Sequence, residues 1–83
     1  MNWHENLYEI YSKLKSNGFE TLSNEIHEAQ LEGATGGEIF GIVITKLIYI
    51  KKNNPEIYSI IKTEINEIIA YGKSIGYLRY YNE

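Results

Sequence analysis

Thr35-Gly36-Gly37-Glu38-Ile39-Phe40-Gly41-Ile42-Val43-Ile44-Thr45-Lys46-Leu47-Ile48-Tyr49-Ile50-Lys51-Lys52-Asn53 is the stretch that decides the fold. Its many β-branched residues would suit a buried strand. No turn signal divides it, however, and Thr35 followed by Glu38 is a capping box, in which each residue satisfies an orphan N–H of the other. The spacing predicts a helix from about Gly36 to Asn53, with Lys51 and Lys52 at the end where the macrodipole favours positive charge. Ile39, Phe40, Ile42, Val43, Ile44, Leu47, Ile48, Tyr49 and Ile50 leave only a narrow polar strip through Gly41, Thr45 and Lys52. A helix so apolar is expected in the middle of the fold.

On its C-terminal side, Asn53-Asn54-Pro55 reads as a turn with Pro55 at the first position of a following helix. That helix runs to about Lys73 and buries Ile57, Ile61, Ile65, Ile68 and Ile69; Gly72 and Gly76 mark where it frays or stops. On the N-terminal side, a helix of about Phe19 to Leu31 sets Phe19, Leu22, Ile26 and Ala29 on one face. Before it, Trp3 to Asn17 sets Trp3, Leu7, Ile10, Tyr11 and Leu14 on one face, with Asn2 and Glu5 placed as cap and reciprocal partner. Gly18 and Gly33 are each expected to close a helix in the left-handed conformation. Short connections favour antiparallel neighbours. The expected fold is therefore all-α: one domain over residues 1–83, a compact antiparallel bundle of four helices with a short aromatic C-terminal tail. That tail, Tyr77-Leu78-Arg79-Tyr80-Tyr81-Asn82-Glu83, is too aromatic for a linker and is expected to fold back at least through Leu78.

A chain of 83 residues supports one core, and without cysteine it has neither a disulfide frame nor a thiolate zinc site. The N-terminus lacks the order of a signal peptide and apolar runs such as Ile42-Val43-Ile44 are short, so a soluble cytoplasmic protein with no membrane partner is expected. Catalysis has little to stand on. There is no Asp, no cysteine nucleophile and no Gly-x-Ser-x-Gly elbow, and His4 and His27 fall on different helices outside any zinc-binding spacing. No enzyme, metal or cofactor is expected. Gly33-Ala34-Thr35-Gly36-Gly37 lacks a P-loop lysine and a preceding strand, so it reads as a helix-breaking turn rather than a phosphate cradle.

Charge is divided unevenly within a net of −3. Residues 1–40 hold seven glutamates against two lysines, a balance of −5, and residues 41–83 hold six basic residues against four glutamates, a balance of +2. An acidic N-terminal half repels nucleic acid and attracts basic partners. The natural recognition helix of a DNA binder, the third, is apolar, so no nucleic-acid partner is expected. On helix two, Glu25, Glu28 and Glu32 share one face beside Thr21, about a quarter turn from Leu22, Ile26 and Ala29. Like charges at this spacing weaken a helix by a few tenths of a kcal/mol each, or about that. Either these carboxylates reach lysines on another helix, or they form a partner-facing patch. The eight tyrosines outnumber the hydroxyls a small core can satisfy. Tyr8 lies off the apolar face of helix one, and Tyr71 lines up with Ile60, Glu64 and Glu67 along a flank of helix four, a mixture suited to an interface.

The run Glu25-Ile26-His27-Glu28-Ala29-Gln30-Leu31-Glu32-Gly33-Ala34-Thr35-Gly36-Gly37-Glu38-Ile39, the apolar helix after it, and the closing Tyr71-Gly72-Lys73-Ser74-Ile75-Gly76-Tyr77 give the chain a family resemblance. It resembles immunity proteins of contact-dependent growth inhibition, small bacterial helical proteins encoded beside polymorphic toxins. The resemblance implies a cytoplasmic protein that binds and neutralises a cognate toxin domain, often a nuclease, and it assigns no contact residues. A basic nuclease cleft suits an acidic, rigid partner. Glu25, Glu28 and Glu32 are then the expected electrostatic contacts, with Tyr8, Glu64, Glu67 and Tyr71 as further contacts. The alternative is a helical module that self-associates or regulates through an apolar flank such as Ile60 and Tyr71.

Overall fold

The structure, a computed structural model, describes residues 2–33 and 35–76. Four helices carry the described chain: α1 (Trp3–Ser16), α2 (Glu20–Glu32), α3 (Gly36–Asn53) and α4 (Pro55–Ser74). The expectation for the aromatic tail lies outside the described residues. Each helix starts or stops where short-range chemistry dictates. The Asn2 side-chain oxygen accepts the His4 N–H at 3.0 Å, and the Thr35 hydroxyl accepts the Glu38 N–H at 3.2 Å, so both caps form as their residue types require. At the end of α1, Gly18 takes φ +87°. The Phe19 N–H then returns to the Leu14 carbonyl and the Gly18 N–H to the Lys15 carbonyl, the paired bonds of a Schellman motif.

Gly33 departs from its expected left-handed conformation. It is extended, at φ −85° and ψ 147°. Glycine is required there for space: a Cβ would lie 2.7 Å from the Ile39 backbone nitrogen and 2.8 Å from its Cγ1. Gly33 therefore lies tightly against the first turn of α3. Gly72 also departs from expectation. It does not end α4 but lies buried inside it, and the left-handed residue after the helix is Gly76, at φ +81°.

The helices form a four-cornered bundle. α1 packs on α2 and α4, α3 packs on α2 and α4, and the diagonal pairs make no close backbone approach. The expectation that α3 sits in the middle is thus corrected: it is a corner like the others. Its wide apolar surface divides between Phe40, Val43, Ile44, Leu47 and Ile50, which are buried, and Ile39, Ile42 and Ile48, which are half-buried along its margins. Leu7, Ile10 and Leu14 of α1 and Ile61, Ile65, Ile68 and Ile69 of α4 complete most of the core. α2 contributes only Ile26 to that cluster, with small Ser23 and Ala29 buried beside it. The helix least committed to the core is the one that carries the acidic stripe.

α4 is interrupted at Ile61, whose φ −118° and ψ 23° are not helical. Tyr58 Oη donates to Asn66 Oδ1 at 3.0 Å across this break, and Lys51 Nζ of α3 donates to the same oxygen at 3.2 Å. Residues eight apart in a regular helix are separated by about 12 Å along the axis. The bend and a long tyrosine side chain together allow the bond, which ties the two halves of α4 to the end of α3.

Candidate functional site

Glu25, Glu28 and Glu32 all stand exposed on α2, as the helical spacing requires. None has an ion-pair partner among the described residues. Lysines of another helix therefore make no direct ion pair with them within the described structure, and Lys46 of α3 shares only a groove with Glu25. The stripe also runs to the wrong end of its helix. α2 has no basic residue in its last turn, so Glu28 and Glu32 lie toward the negative end of the macrodipole. Repulsion along the stripe and against the dipole weakens α2 by about 1 kcal/mol in total.

Beside the stripe, α2 and α3 enclose a groove of about 500 Å³. Leu22 and Ile26 line the α2 side and Tyr49 and Ile50 the α3 side, while Glu25 and Lys46 supply opposite charges on its two walls. Tyr49 is 62% exposed, a large aromatic surface next to carboxylates. Sequence reasoning missed it by assigning it to the apolar body of α3. Its signal was its position one turn after Thr45, on the margin of the polar strip.

The remaining expected contacts do not join this surface. Glu64, expected on an exposed flank, is buried at 7% exposure, and Lys13 Nζ donates to its Oε2 at 2.6 Å. Its carboxylate thus ties α4 to α1 inside the molecule and does not face a partner. The flank reading failed because helix four packs on both α1 and α3, so its buried sector is wider than its isoleucines alone indicate. Glu67 is exposed and lines a shallow depression on α4 with Tyr71, Ala70 and Ser74. The Tyr71 ring itself turns inward, edge-on to Phe40 with centroids 5.7 Å apart. α4 is at the corner opposite α2, so Glu67 and Tyr71 lie away from the acidic stripe. Ile60 and Tyr71 are half-buried against the core, which leaves the proposed self-association flank little free apolar surface.

Tyr8 is 76% exposed but belongs to a different groove, between α1 and α2. There Tyr11 is half-buried, and its hydroxyl donates to Gln30 Oε1 at 2.9 Å. Burial, with Tyr8 alongside, pushes the Tyr11 phenol from 10.0 up to about 12. Both histidines, separate in sequence, line this same groove. No group of three or more metal-ligating side chains is found among the described residues, and no described helix is long and apolar enough to cross a membrane.

What these surfaces define is a small all-α bundle with an acidic helix face that makes no direct ion pair among the described residues and an aromatic groove beside it. No protein family, no curated protein and no solved structure matches the chain.

Proposed function

We propose that the protein is a non-enzymatic inhibitor that binds a basic protein partner, acting as an immunity protein against a toxin domain of the nuclease type. The observation that carries this reading is the α2 stripe. Three exposed carboxylates without ion-pair partners among the described residues occupy positions that weaken the helix bearing them. A folding role does not explain them, and a partner with a phosphate-binding cleft does. In such a cleft, carboxylates on a rigid helix occupy places meant for phosphates, and the acidic field speeds encounter. Tyr49, at the edge of the stripe, supplies an aromatic anchor of the kind that dominates binding energy. The resemblance in the Glu25–Ile39 run points the same way and implies action in the cytoplasm of the producing cell.

The test is co-purification of the tagged protein with the polypeptide encoded next to it, at low and high salt, together with protection of cells that express that polypeptide. A one-to-one complex that protects and weakens in salt supports the reading. No complex and no protection sinks it. If E25Q, E28Q and E32Q combined leave affinity and salt dependence unchanged, binding is by another surface, and the electrostatic mechanism is wrong even where inhibition stands.

A further inference from the structure

The groove between α1 and α2 differs in chemistry from the rest of this acidic half. Its volume of about 390 Å³ falls in the ordinary range for small-ligand pockets, roughly 300–1,000 Å³. None of the seven glutamates of residues 1–40 lines it. Its titratable groups are instead two imidazoles, two phenols and an ammonium. Four of them, His4, Tyr8, Tyr11 and Lys15, recur at helical spacing down one face of α1, and His27 answers them from α2.

We propose that this groove binds a small planar anion, an aromatic ring carrying a phosphate or a carboxylate. The rings supply walls. His27 stands edge-on to Tyr11 with centroids 5.5 Å apart at 90°, Tyr8 meets Tyr11 at 6.4 Å, and His4 is stacked on Trp3 at 3.9 Å. Such walls accept a flat ring by stacking or edge contact. The polar groups supply donors. Lys15 is exposed, without an ion-pair partner among the described residues, and presents an ammonium one turn beyond Tyr11. Gln30 spends its Oε1 on the Tyr11 hydroxyl, which leaves its NH₂ group to donate. With Tyr11 held as the neutral phenol and no carboxylate in the lining, nothing in the groove repels an anion. The site is independent of the acidic stripe: none of Glu25, Glu28 and Glu32 lines it, and Glu25 lines the groove toward α3 instead.

Two-dimensional amide NMR titration of the full chain tests this, with adenosine monophosphate and 4-hydroxybenzoate as probes and inorganic phosphate as the ringless control. Saturable shifts at His4, Tyr11, Lys15 and His27 with both ringed probes, and at least about fivefold weaker response to phosphate, are expected. Lys15→Gln should weaken binding about tenfold, the scale of one charge-assisted hydrogen bond, whereas Lys62→Gln on α4, which removes the same charge elsewhere, should leave it unchanged. Absence of saturable shifts overturns the proposal. Equal response to phosphate alone, or equal loss in the two lysine variants, also overturns it, because either result reports charge without a built site.

Discussion

Replacing Lys13 by Met should destabilise the protein far more than replacing Glu64 by Gln, although each removes one half of the same ion pair. The Glu64 side chain is 9% exposed and its Oε1 has no hydrogen-bond partner, so Lys13 Nζ at 2.6 Å is what stabilises the charge. Without it, a carboxylate is left buried and unpaired. Breaking a fully buried pair in this way costs roughly 3–5 kcal/mol, whereas a surface pair contributes at most about 1 kcal/mol. The Lys13 end is 41% exposed, so water reaches the site from that side and the expected loss for Lys13→Met is about 2–3 kcal/mol. Glu64→Gln keeps the volume and leaves only the half-exposed ammonium, which rehydrates, so its loss is about 1 kcal/mol. The double variant Lys13→Met/Glu64→Met removes both charges and should recover to within about 1 kcal/mol of the parent. Urea denaturation followed by far-ultraviolet circular dichroism measures all four proteins. Equal losses in the two single variants, or strictly additive losses in the double, would show that Glu64 is hydrated and that the pair is an ordinary surface contact.

Four further outcomes are expected. Gly33→Ala places a Cβ against the Ile39 backbone and should destabilise by about 1–3 kcal/mol in thermal unfolding, while Gly18→Ala meets open space and suffers only the left-handed backbone cost of about 1 kcal/mol. Thr35→Ala removes the hydroxyl that caps α3 and should cost about 1 kcal/mol, with Thr35→Ser retaining most of it. E25Q, E28Q and E32Q combined should raise stability by about 1 kcal/mol while lowering affinity for a basic partner, so a variant that loses both stability and binding would contradict the assignment of the stripe. For Tyr11, the folded phenol lies at about 12 against an ordinary 10.0, so its contribution to stability is intact below pH 10.0 and fades as pH rises toward about 12. Spectrophotometric titration should show a late-ionising component that disappears in Tyr11→Phe, and that variant should resist alkaline unfolding better than the parent once the loss at neutral pH is taken into account.

Local chemistry was legible in the residues; lateral placement was not. The caps at Asn2 and Thr35, the stop at Gly18 and the entry at Pro55 depend on a few neighbouring atoms, and all four stand where the residue types put them. Gly33 shows the limit of that logic. A glycine after a helix signals either a left-handed turn or a close approach, and only the position of Ile39 distinguishes them. Helix three was placed at the centre from its apolar breadth, but breadth alone does not separate a central helix from a corner helix that packs on two neighbours. The same ambiguity displaced Glu64, which occupies the buried side of α4 because Lys13 of α1 is there to meet it. For the candidate site, the α2 stripe was fully readable, since three glutamates on one helix need no tertiary information. The groove with Tyr49, and the convergence of His4 and His27, required knowing which helices are neighbours.

The acidic stripe occurs on α2 for a physical reason. A residue that weakens folding is tolerated where little folding energy is at stake, and α2 buries only Ser23, Ile26 and Ala29, against three to six residues, most of them large and aliphatic, on each of the other helices. A groove lies on each side of this helix, one toward α1 and one toward α3. Core stability therefore rests mainly on α1, α3 and α4, through the isoleucine and leucine cluster and the Lys13–Glu64 pair. α2 is consequently free to vary on both flanks. Substitutions on its exposed face should change binding with small effects on unfolding, whereas substitution of Ile10, Leu47 or Ile65, each fully buried, by Ala should cost about 2–5 kcal/mol and abolish binding only through loss of the fold. Measuring both quantities for the same variants separates the two classes: a surface variant of α2 that unfolds as readily as Leu47→Ala would mean that α2 belongs to the core and that its carboxylates are constrained by folding after all.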